Sequence, residues 1–261
     1  MGRLSFWAFF LVIIVVVVGT LLLGFRFGQR RHRAHPDTPE GPVAAVVGSI
    51  LGLLAFMLAF SFSLAADRYS ARKQLLLEEV NAIGTVALRA DLLPEPHRSA
   101  CRELLLRYVD GRLHVAQHVE DLPRILQEAE EIHQALWAHA LALEPGILNA
   151  DIGNLFVDAH NNLVQLHRSR VAVAVYYHVP PAVWTSLMVL LALSMLGVGY
   201  QFGITGRHNW LVFLIMALGF AVVLALIRGL DNTSGDVVVD QKPMIQLQQE
   251  LARPQVMRSA P

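Results

Sequence analysis

The stretch "RYSARKQLLLEEVNAIGTVALR", residues 68–89, places four polar side chains at helical spacing. Glu78, Asn81, Thr85 and Arg89 fall at i, i+3, i+7 and i+11, along one face of a helix with 3.6 residues per turn. A carboxylate, an amide, a hydroxyl and a guanidinium on one edge can hold small ions in water or close on one another through hydrogen bonds. The other faces carry Leu75, Leu76, Leu77, Val80, Ile83, Val86 and Leu88, so such a helix is surrounded. A polar edge inside that setting needs partners or water, because a buried unpaired polar group costs about 1–3 kcal/mol. Two uses stay open. The edge is either a satisfied network, with Arg89 meeting a carboxylate on another helix, or the lining of an aqueous path or subunit seam.

Enzymatic chemistry finds no comparable support. His114 and His118 stand at i, i+4, a spacing that can bind one metal, but a third ligand is missing and no H-E-x-x-H pattern is present. A solvated or satisfied histidine pair is expected there, with no metal. The other histidines in the helical block (97, 133, 139, 160, 167 and 178) are scattered; brought together by the fold they could sense acid. "GVGYQFGITG" at 197–206 lacks the Lys-Ser/Thr ending of a phosphate loop and follows an apolar run rather than a strand. Glu78-Glu79 and Glu130-Glu131 are adjacent pairs that point about 100° apart, as solvated faces do. Cys101 is the single cysteine, which excludes an intramolecular disulfide. No catalytic residue and no cofactor is expected.

What positions the polar edge is a membrane. Hydrophobic residues make up 54 % of the 261, and that excess is concentrated in four runs: 6–25, 43–65, 182–203 and 210–227. The first run is too long for a signal-peptide core and is followed by Arg26 to Arg33 rather than by a cleavage site, so it is read as retained. Lys plus Arg and Asp plus Glu both number 21, leaving no net field to attract nucleic acid.

The expected fold is all-α: four transmembrane helices with a helical extramembrane domain inserted between the second and third spans. Its parts are the first span and basic linker (1–42), the second span (43–65), the helical domain (66–179), spans three and four (180–228) and a C-terminal tail (229–261). Breaks at Pro94–Pro96, Pro123 and Pro145-Gly146 divide the domain into helices near 66–92, 97–121, 124–143 and 149–178. In the second span, small residues at Gly48 and Gly52 suit close helix packing, and Phe56 and Phe60, one turn apart, could form a hydrophobic constriction. Trp7, Tyr176, Tyr177 and Trp184 are expected at one membrane face, with Tyr200 and Trp210 at the other. The short linker carries Arg26, Arg30, Arg31 and Arg33 and the 204–209 loop carries Arg207, which places both in the cytoplasm and the helical domain outside.

"RYSARKQLLLEEVNAIGTVALRADLLPEP" also resembles a known family, the bacterial bestrophin-like domain membrane proteins. The shared features are Arg68-Tyr69, Glu79 with "NAIGT", Arg89 with "LLPEP", Tyr108 to Arg112, "QALWAHALAL" at 134–143 and "LHRSRVAVA" at 166–174. The likeness covers most of residues 43–235. It departs at "LDNTSGD", which keeps Leu230, Asp231 and Gly235 but lacks the family's Pro-Phe. The resemblance implies kinship with bestrophins, oligomeric anion channels whose pore is formed by the second span and cytosolic helices, in a bacterial inner membrane. It implies the opposite orientation to that given by the loop charges. The expected function is therefore a non-enzymatic, multi-pass ion channel. In it a homo-oligomer passes small inorganic ions along the second span and the helix that follows. The rival is a non-conducting scaffold or sensor that binds a partner through its helical domain.

Overall fold

The computed structural model describes residues 6–35, 41–142, 150–206, 210–232 and 239–253. It is helical, in the order α1 (Phe6–Ala34), α2 (Gly41–Ala90), α3 (His97–Gln117), α4 (Leu122–Leu141), α5 (Ala150–Val175), α6 (Pro181–Ile204), α7 (Trp210–Asp231) and α8 (Lys242–Ala252). Four of these, α1, α2, α6 and α7, are long and apolar enough to cross a membrane. The chain divides into two compact units: residues 1–69 with 177–238, and residues 70–176 with 239–261.

In the first unit, α1 and α6 run parallel and touch backbone to backbone. A Cβ on Gly24 would strike the Leu196 carbonyl, and one on Gly28 the Tyr200 carbonyl. From the other side, Gly199 faces the Leu21 carbonyl and Gly203 the Phe25 carbonyl. Two glycines four residues apart on each helix thus form a small-residue seam, the device that lets membrane helices approach closely. Gly48 and Gly52 do not take part, since nothing lies within 4 Å of a Cβ built on either. The first helix extends through Arg26–Ala34, so the basic segment expected as a linker is helical up to Ala34. Arg and Gln are good helix formers, and Pro36 is the first breaker.

The helix α7 runs antiparallel to α1: Phe25 meets Phe213 edge-on at 6.3 Å, and the Arg228 guanidinium lies 4.4 Å over the Phe9 ring. Phe9 also packs edge-on against Trp184 at 5.8 Å, so the Trp7 and Trp184 ends of α1 and α6 share one side, as expected. Pro181 opens α6, where its missing N–H costs nothing. Asp231 of the "LDNTSGD" stretch accepts the Val179 backbone N–H at 2.8 Å, and Gly235 lies outside the described residues, as do Arg207 and residues 36–40.

The second unit is a helical bundle whose core follows a heptad-like rhythm. On α2, Arg72, Leu76, Glu79, Ile83, Val86, Ala90 and, just past its end, Leu93 are buried at alternating steps of four and three. Cys101, Leu105, Tyr108 and Arg112 do the same on α3; Ile125, Ala129, Ile132 and Leu136 on α4; Phe156, His160, Leu163 and His167 on α5. The C-terminal tail is not an appendage. Helix α8 buries Met244, Leu247 and Leu251 in this core, and Gln248 donates to Asp110 at 2.6 Å.

Arg102 on α3 closes the end of α8, donating to the carbonyls of Leu251, Glu250 and Arg253 at 3.0–3.3 Å. These are carbonyls a helix end leaves without intrahelical partners. Arg102→Ala is expected to raise amide exchange across 242–252 by about tenfold, the equivalent of one lost hydrogen bond to a charged group, with α4 and α5 unaffected. Exchange mass spectrometry checks this directly.

Candidate functional site

About four helical turns beyond the end of the second apolar run, the core of the second unit encloses a charge. Glu79 is fully buried and occupies a heptad position between Leu76 and Ile83. Its carboxylate Oε1 accepts from the Tyr108 hydroxyl at 2.6 Å and lies 3.0 Å from Arg112 Nη2. Arg112 Nε also donates to Oε2, at 3.3 Å, and Arg170 Nη1 donates to the same oxygen. One carboxylate thus holds α2, α3 and α5 together, with four charge-assisted or hydroxyl donors on its two oxygens. Burial by itself would raise the Glu79 carboxyl; the Arg112 and Arg170 guanidiniums and the Tyr108 hydroxyl outweigh it and hold it at about 2.

Proton counting fixes the next link. Tyr108 has one hydroxyl proton, and a carboxylate can only accept, so that proton belongs to Glu79. His167 Nδ1 stands 2.8 Å from the same hydroxyl oxygen and must therefore be the protonated nitrogen, donating to Tyr108. Tyr108 itself stays protonated: burial, then the Glu79 charge, push its hydroxyl well above the usual phenol range. Beyond His167, ring follows ring. His133 lies 5.2 Å from His167 and 5.5 Å from His160 by ring centroids, and Trp137 covers His160 at 6.0 Å.

All three histidines are buried, at 3–7 % exposure. Neither ring nitrogen of His133 or His160 has a hydrogen-bond partner among the described residues. Burial, reinforced by His167 and His160, pushes His133 down to about 3, and burial with Arg112 pushes His167 down to about 4. Among the described residues, no group of three or more His, Cys, Asp or Glu side chains has the geometry to hold a metal ion.

The polar edge read from the sequence sits beside this network, not inside it. Asn81 and Thr85 are exposed, and Glu78 and Arg89 half-buried. Glu78 accepts from Gln74 at 2.8 Å on its own helix, Thr85 donates back to the Asn81 carbonyl, and Arg89 donates to the Leu155 carbonyl on α5. Arg89 thus meets a backbone oxygen rather than a carboxylate. Phe56 and Phe60 are 66 % and 50 % exposed. His114 finds a carboxylate, with its Nε2 2.5 Å from Asp121, while His118 stacks on it at 4.6 Å. His97 and His139 share a contact between their Nδ1 atoms at 3.0 Å.

Glu79 is the residue that spacing could have found. Counting back four from Ile83 or forward three from Leu76 puts an acid on the apolar stripe, and the same rhythm puts Arg112 on the stripe of α3. An ionisable residue at a core register position announces a buried partner of opposite sign.

These features define a class: an all-helical membrane protein with four apolar candidate spans and a charged, tightly paired helical bundle. The chain belongs to the Bestrophin-like domain family, whose domain it matches over residues 10–244. Solved structures agree on the fold. Two single-substitution variants of a bacterial bestrophin homologue from Klebsiella pneumoniae superpose with TM-scores of 0.67 and 0.68, each at 16 % identity. The first covers 94 % of this chain and 99 % of that one; the second covers 92 % and 97 %. A crystal structure described as a membrane protein variant gives 0.67 at 15 % identity, covering 93 % and 97 %. No curated protein matches the sequence.

Proposed function

We propose that copies of this chain assemble in a bilayer into an ion channel, with α2 of each copy lining the passage and the helical block between α2 and α6 standing outside the hydrocarbon. The observation that carries this reading is the emptiness around α2. Its most apolar stretch is 11 % buried within one chain, against 28–33 % for the other three candidate spans. In the first unit, exposed positions recur along it every three or four residues through Gly48, Gly52, Phe56, Phe60 and Ser63. In the second unit the exposed positions include Ser70, Lys73, Leu77, Asn81, Thr85 and Leu88. A face that is apolar along the span and mixed beyond it suits a passage with a hydrophobic waist and a wet vestibule. Gly48 and Gly52 then serve close approach between copies rather than within one.

The test is ion flux through the purified protein in liposomes, across a series of anions and cations. Phe56→Ala and Phe60→Ala are expected to raise conductance, and Glu78→Gln to change ion selectivity, each with melting temperature shifted by only a few degrees. Absence of flux in every condition, together with a monomer in cross-linking, sinks the channel reading.

The charge of the short loops favours an outside position for the helical bundle, whereas kinship with bestrophins favours the cytosol. Ser99→Cys is exposed near the start of α3 and decides between them by labelling whole cells with an impermeant thiol reagent. Native Cys101 adds little background, because it is buried and burial pushes its thiol up to about 11.

A further inference from the structure

We propose that the row His160–His133–His167, ending on Tyr108 and Glu79, is an acid-operated latch between α4 and α5: neutral, it keeps the two helices shut on the bundle, and protonated, it parts them. The proposal stands on position and charge, and it does not depend on ion passage. His133 projects from α4 into a surface built by three other helices. It faces Glu79 from α2, Tyr108 and Arg112 from α3, and His160 and His167 from α5, while Arg170 of α5 acts on His167. Glu130, on its own helix, acts on His167.

Arg112 and Arg170 already share the single Glu79 carboxylate, so its charge is satisfied before any histidine is protonated. An imidazolium at His133 or His160 would add a further buried cation whose N–H groups have no acceptor among the described residues. His167 differs, since its Nδ1–H already points through Tyr108 to Glu79.

The cost of these protons is lowest where the rings can reach water, which requires α4 and α5 to separate. A histidine whose folded pKa is depressed stabilises the closed bundle fully above its ordinary value of 6.5, and loses that contribution as pH falls toward about 3 and 4, the folded values of His133 and His167. Glu79 behaves the same way in a lower window. Its contribution holds above 4.5 and fades as pH approaches about 2, so the histidines act first.

Two measurements on the full chain test the latch. The first is amide exchange, corrected for intrinsic rates, at about pH 7.5 and about pH 5. At about pH 5 a histidine freed to its ordinary pKa is protonated about 30 times more often than not, so each histidine released lowers protection of α4 and α5 by about thirtyfold. Protection in α1 and α6 should not follow. The second is the emission of Trp137, taken as the difference between wild type and Trp137→Phe, since an imidazolium quenches indole far more than a neutral imidazole does. Emission should fall with a midpoint below 6.5, and His160→Leu should remove the fall.

In His133→Phe the acid-induced loss of α4–α5 protection should shrink by about thirtyfold. Protection that is equal at both pH values in the wild type overturns the latch, even where a variant fails to fold. So does an acid response that survives unchanged in both His133→Phe and His160→Leu.

Discussion

Glu79→Ala is expected to unfold the second unit, with a cost of about 3–5 kcal/mol, because it strands Arg112 and Arg170 in the core without their carboxylate. Arg112 is buried and Arg170 largely so, so both guanidiniums lose their main counter-charge where water solvates them poorly. Its sequence neighbour provides the contrast. Glu78 touches Gln74 at the surface, and Glu78→Ala should change stability by less than about 0.5 kcal/mol. The measurement is thermal unfolding in detergent combined with limited proteolysis, which reports cleavage within 70–176. A triple change, Glu79→Leu with Arg112→Met and Arg170→Met, should recover much of the loss, because an ion cluster replaced whole by apolar side chains leaves no stranded charge. Equal stability of Glu79→Ala and Glu78→Ala would mean that the core network does not hold the bundle.

Gly199→Val should be comparably damaging to the first unit. Its first added carbon meets the Leu21 carbonyl of α1, which is backbone and has no rotamer to escape into. The helices must move apart along a seam that Gly24, Gly28 and Gly203 also form, so the cost is expected at or above about 3 kcal/mol. Yield of monodisperse protein and melting temperature report it. Gly52→Val, with open space around it, should leave both almost unchanged and instead alter cross-linking between copies or ion flux. The reverse pattern, a tolerant Gly199 and a lethal Gly52 in isolated chains, would overturn the assignment of the seam.

The contrast between these glycines shows where sequence ran out. All four spans were legible, because an uncharged run of membrane length has few other uses, and each of the four runs lies within one of α1, α2, α6 and α7. Small residues at four-residue spacing were legible too, but they occur on α1, α2 and α6 alike, and spacing does not say which helix finds a partner. Only the fold pairs Gly24 and Gly28 with Gly199 and Gly203.

The same holds for the polar groups. The stripe Glu78, Asn81, Thr85, Arg89 is aligned on one face, one residue away from the acid that the core encloses. A helical face spans about 100°, so a shift of one residue moves a side chain from surface to interior. The histidines looked scattered because His133 is 27 residues from His160, and their meeting depends on how α4 folds back along α5. Periodicity therefore determined which segments are helices and which of them suit lipid, since those properties are local and repeat along the chain. Which carboxylate is desolvated, which histidines share a wall and which glycines touch were decided by tertiary packing, because burial and Coulomb interaction depend on neighbours brought from distant segments.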